Sequence, residues 1–69
     1  MLEKTLLLFN QNTEIVLRGT DVFFGCVIWE LFTPSGNEHI KSLYKKIKNN
    51  CIKDIFVIDD SIYIDLYDF

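Results

Sequence analysis

The sequence predicts an α+β domain over residues 1–69: an antiparallel-rich sheet of about five strands with one helix, in the order β-β-β-α-β-β. Three observations predict it. One segment repeats its apolar residues at i, i+3, i+4 and i+7, the full stripe of an amphipathic helix: Ile40, Leu43, Tyr44 and Ile47. The other apolar stretches are short, rich in β-branched and aromatic residues, and bounded by turn formers. A chain of 69 residues has room for one core, and its stability is correspondingly marginal.

From the start of the chain, Thr5 to Phe9 reads as a strand, Asn10-Gln11-Asn12 as a turn, and Thr13 to Arg18 as a second strand. A helical turn with Leu2, Leu6 and Phe9 on one face is the alternative, too short to stand alone. After the break at Gly19-Thr20-Asp21, Val22 to Phe32 predicts a long central strand. Phe24, Cys26 and Ile28 on one side and Phe23, Val27 and Trp29 on the other are all apolar, as in a strand covered on both faces. A buried helix capped by Thr20 is the competing expectation there.

Thr33-Pro34-Ser35-Gly36 then interrupts the chain, and Ser35 with Glu38 matches a capping box ahead of the helix. The stripe Ile40, Leu43, Tyr44, Ile47 faces the core, Lys41, Lys45 and Lys48 take a different face, and Asn49-Asn50 offers a left-handed stop. Ile55 to Ile58 and Ile62 to Leu66, joined by Asp59-Asp60-Ser61, predict a second hairpin.

Composition narrows the function classes. The chain is 49% hydrophobic and 25% charged, which is the balance of a folded protein. The uncharged run Val22 to Trp29 is far short of a membrane span, and Leu6 to Phe9 is too short for a secretory signal; a cytoplasmic protein without membrane contact is expected. Cys26 and Cys51 lack close metal-ligand spacing and read as buried thiols, and with His39 they fall one ligand short of a structural zinc site. No glycine-rich phosphate loop or metalloprotease motif is present, and adjacent Asp59 and Asp60 suit a turn better than acid-base work. The expectation is a non-enzymatic protein with no cofactor, no metal and no small-molecule substrate.

Three surfaces remain as candidates. Both sides of Val22 to Leu31 are apolar, so the sheet face that a single helix leaves uncovered is expected to self-associate or bind a partner. In the last strand Tyr63, Asp65 and Tyr67, continuing to Asp68 and Phe69, oppose Ile62, Ile64 and Leu66. They predict an acidic-aromatic sheet edge that binds a protein partner or a second copy of the chain. The lysine face, Lys41, Lys45 and Lys48, is the alternative: a small dimeric nucleic-acid-binding regulator. A net charge of −3 and a single arginine, Arg18, argue against it. Bias toward isoleucine, lysine, asparagine, phenylalanine and tyrosine, with no alanine, indicates an AT-rich genome of the kind found in many phages and mobile elements. Small acidic antagonists of the immunity-protein and phage-inhibitor type share this general build, an analogy that points to an inhibitor or adaptor.

Overall fold

The computed structural model describes residues 1–20 and 23–67. Its elements are α1 (Leu2–Leu6), β1 (Glu14–Arg18), β2 (Phe23–Val27), α2 (Ile28–Phe32), α3 (Glu38–Ile47), β3 (Ile52–Ile58) and β4 (Ser61–Leu66). The class is α+β, with a four-stranded mixed sheet in the order β2-β1-β4-β3 and three short helices where five strands and one helix were expected. β1 and β4 run parallel, and the two outer pairings are antiparallel.

The expected first strand is replaced by α1. Three consecutive leucines, Leu6 to Leu8, cannot alternate, whereas Leu2 and Leu6, four residues apart, share one helical face and are fully buried. This five-residue helix is held by docking, because its first amides donate to the end of α3: Leu2 N–H to the Asn50 carbonyl (3.1 Å) and Glu3 N–H to the Lys48 carbonyl (2.9 Å). Those bonds occupy carbonyls just beyond α3, and neither Asn49 nor Asn50 adopts the left-handed stop that was expected.

The expected central strand divides at Val27, whose extended backbone (φ −78°, ψ 136°) is the entry to α2. β2 is an edge strand. Residues ahead of β1 receive the first amides of α2, Ile28 N–H donating to the Thr13 carbonyl (3.0 Å) and Trp29 N–H to the Gln11 carbonyl (2.9 Å). With those donors satisfied the chain can turn helical without a side-chain cap. Apolar residues on both sides therefore serve two elements: Cys26 is buried in the strand, and Ile28 and Leu31 are buried in the helix. Val22, the expected start of that strand, lies outside the described residues.

Asn37, rather than Ser35, caps α3; its side-chain oxygen accepts from His39 N–H (2.9 Å) and Ile40 N–H (3.2 Å). Gly36, in the connection from α2 to α3, sits buried against α2, where a Cβ would run into the Glu30 carbonyl, so the close approach of this loop to the helix backbone requires glycine. The apolar stripe is rotated slightly from expectation: Tyr44 and Ile47 are buried, and Ile40 and Leu43 are half-buried. The second hairpin forms as expected, with a two-residue Asp59-Asp60 turn (φ 49° and 67°) of type I′, and β3 begins earlier, at Ile52.

Ile15, Leu17 and Ile64, all fully buried, are the centre of the core, paired across the parallel β1–β4 ladder and covered by the helices on one face of the sheet. This is the physical reason that β4, expected at an edge, is interior: its aliphatic row and that of β1 are the most buried in the sheet. The exposed Cys51, expected to be buried, lies in the connection from α3 to β3.

Candidate functional site

Alternation along the four strands, shifted at a β-bulge between Ile52 and Asp54 in β3, sends one set of side chains to the helices and the other to the helix-free face. The pairing registers arrange the second set in cross-strand rows. One row runs Gly25, Val16, Tyr63, Phe56; the next runs Phe23, Arg18, Asp65, Asp54.

The middle of this face is rigid. Phe56 and Tyr63 stack with ring centroids 5.4 Å apart and planes 13° from parallel. The Arg18 guanidinium carbon lies 4.9 Å from the Phe56 ring centroid and 5.2 Å from that of Tyr63. Arg18 also grips Asp65 with two hydrogen bonds, Nε to Oδ1 (2.7 Å) and Nη2 to Oδ2 (3.1 Å). Hydrogen bonding to Arg18 holds the Asp65 carboxyl below the ordinary aspartate range, and Asp65 in turn raises Arg18.

Beside this plate the surface drops into a notch of about 450 Å³, lined by Gly25, Val16, Phe23, Tyr63 and Arg18. Phe23 stands 73% exposed at its rim, an unusual position for a phenylalanine on a sheet. Gly25 has no positive φ, and a Cβ there would meet only Val16 Cγ2, at 3.7 Å. The backbone therefore does not require glycine; what its missing side chain leaves is space.

The structure redistributes the residues that the sequence singled out. Tyr63 and Asp65 do share a face, but on the open surface of an interior strand and not on an edge. Asp65 is not a free steering carboxylate, because Arg18 neutralises it in place. Tyr67 is exposed past the end of β4, its N–H donating to the Cys51 carbonyl (3.1 Å) and its carbonyl accepting from Asn50 Nδ2 (3.0 Å). Asp68 and Phe69 lie outside the described residues. Arg18, Phe23, Gly25 and Phe56 were missed, since their shared face depends on strand pairings that no local pattern encodes.

On α3, Lys45 is exposed and Lys41 and Lys48 are half-buried beside a cleft that also carries Glu3 and Glu38. Lys48 Nζ lies 3.8 Å from Glu3 Oε2. The lysine face is thus interleaved with carboxylates, a poor match to a polyphosphate backbone. A further patch that the sequence reading missed is formed by Leu7 (67% exposed), Trp29 and Phe32 around a groove between α1 and α2.

Among the described residues no group of histidine, cysteine and carboxylate side chains could hold a metal ion. Burial pushes the Cys26 thiol up to about 12, so it is not a thiolate nucleophile at neutral pH. No described helix is long and apolar enough to cross a membrane. No family model, curated protein or solved structure matches this chain.

Proposed function

We propose that this chain is a non-enzymatic protein-interaction module, an inhibitor or adaptor, that engages a protein partner through the helix-free face of its sheet. The observation that carries this reading is the Gly25 notch beside the Arg18-clamped Phe56–Tyr63 plate, with Phe23 exposed at the rim. Binding hot spots are built from rigid aromatic and arginine side chains around a desolvatable pocket, and those parts occur together here. Little side-chain entropy is lost on binding, since stacking and the bidentate ion pair already fix Tyr63 and Arg18.

The notch takes an apolar or aromatic side chain of the partner. The net charge of −3 and the acidic turn Asp59-Asp60 favour a partner whose surrounding surface is basic. Relative to the acidic-aromatic edge expected from sequence, Tyr63 and Asp65 keep a part, as wall and clamp, and the docking area moves to the centre of the sheet.

The test is capture from the native host with wild type, Phe23→Ser, Tyr63→Ala and Lys45→Ala, each checked for folding by thermal melting. The expected result is a partner retained by wild type and Lys45→Ala and lost by folded Phe23→Ser and Tyr63→Ala. Retention by all four rejects the sheet face. Binding of DNA or RNA that weakens steeply with salt and requires Lys45 establishes the nucleic-acid alternative instead.

A further inference from the structure

The sheet ends at β3, and its last strand is unusually bare. Ile55 and Val57 lie on the helix side, paired with Ile64 and Ile62, yet remain 42% and 66% exposed; Ile58, on the other side, is 45% exposed. The two-residue turn makes Ile58 and Ser61 a hydrogen-bonded pair, so by alternation Phe56 also bonds to β4 while Ile55 and Val57 aim their backbone groups outward. The Ile55 N–H accordingly donates to the side chain of its own neighbour, Asp54 Oδ1, at 2.9 Å. A seven-residue edge strand whose last four residues, Ile55 to Ile58, are apolar, with outward backbone groups at Ile55 and Val57, is a template for another strand.

We propose that β3 pairs antiparallel with β3 of a second copy of this chain, about a two-fold axis at Phe56, joining two sheets edge to edge. Symmetry restricts the choice, because a two-fold between identical antiparallel strands must pass through a residue pairing with itself. An axis at Val57 sets Asp54 against Asp60 of the second copy, a like-charge pair. An axis at Ile55 sets Lys53 against the apolar Val57. An axis at Phe56 opposes Ile55 to Val57, with outward backbone groups on both; it leaves Asp54 opposite Ile58, and at the two ends of the pairing it brings Lys53, at the β-bulge, near Asp59 in the turn of the second copy. This register carries one charged-apolar mismatch where an axis at Ile55 carries two (Asp54 against Phe56 and Lys53 against Val57), and it avoids the Asp54-Asp60 pair. The Asp54 carboxylate must release the Ile55 amide, and edge pairing buries less than a standard interface, so the dimer is a weak one. It would set the two open faces side by side on one continuous sheet.

Sedimentation velocity on the full chain from about 1 to about 500 µM, with amide exchange followed at both ends of that range, tests it. The expected result is a monomer–dimer equilibrium in which the Ile55 and Val57 amides exchange more slowly as concentration rises. Val57→Lys, at a side chain already 66% exposed, should melt like wild type and weaken the dimer roughly tenfold or more. Val57→Pro, which removes only an outward N–H, should abolish it. Lys53→Glu should weaken it by opposing Asp59. A chain that stays monomeric, or a dimer in which the Val57 amide is no better protected at high concentration, overturns the proposal. So does a dimer that survives Val57→Lys and dissociates with Phe23→Ser, which would place the two-fold axis on the open face.

Discussion

Replacing Gly25 by alanine separates a binding role from a structural one, because the two move in opposite directions. The new Cβ meets Val16 Cγ2 at 3.7 Å, ordinary van der Waals contact, and the backbone there is not left-handed. Glycine inside a strand is destabilising by roughly 0.5–1 kcal/mol relative to alanine, so Gly25→Ala should stabilise the fold by about that much. In a domain of this size that corresponds to a rise of about 2 to 8 °C in melting temperature. The same methyl occupies the floor of the notch. Overfilling a packed contact costs about 1–3 kcal/mol, so affinity for the partner should fall roughly five- to 150-fold. Urea unfolding and titration calorimetry on one preparation read both quantities. A variant that binds like wild type would refute the notch as the docking site, and one that is markedly destabilised would refute the claim that the glycine leaves usable space.

Four further outcomes are expected. Ile47→Ala should cost about 2–5 kcal/mol in urea unfolding, half-buried Leu43→Ala less, and exposed Lys45→Ala almost nothing; Tyr44→Phe should be neutral or stabilising, since the buried Tyr44 hydroxyl has no hydrogen-bond partner among the described residues. Gly36→Ala should cost about 1–3 kcal/mol or more, because its Cβ would meet the Glu30 backbone and not a movable side chain. The Asp65 carboxyl titrates below its unfolded value of about 3.9, so the stability it contributes is complete above that pH and is lost as pH falls through the lower folded value; thermal melts against pH should show an acid limb that Arg18→Met makes shallower.

What was legible in the sequence was what local chemistry decides. Helical spacing marked α3 because its period matches nothing else, and the Asp59-Asp60 turn followed from residues that tolerate a left-handed backbone. The failures occurred where tertiary partners override local preference. α1 is five residues long and persists because its amides dock on carbonyls at the end of α3, contacts some 45 residues away in sequence. Val27 ends β2 because carbonyls of Gln11 and Thr13 are in place to receive the first turn of α2. At the candidate site, alternation correctly put Tyr63 and Asp65 together, but only the parallel pairing of β4 with β1 brings Arg18 opposite Asp65 and turns a supposed free acid into a clamped ion pair. A parallel pairing is set by long-range packing, here Ile15 and Leu17 against Ile62 and Ile64, and leaves no turn signature to read.

The central claim, that the helix-free sheet face is the docking surface, is tested most directly by a photocrosslinking residue placed at position 23 on that face and, separately, at position 45 on α3, in the native host. Both side chains are exposed, so either substitution should leave the fold intact. A discrete protein adduct from position 23 that is lost in the Gly25→Ala background, with none from position 45, is the predicted result. An adduct from position 45 alone, to protein or to nucleic acid, would contradict it.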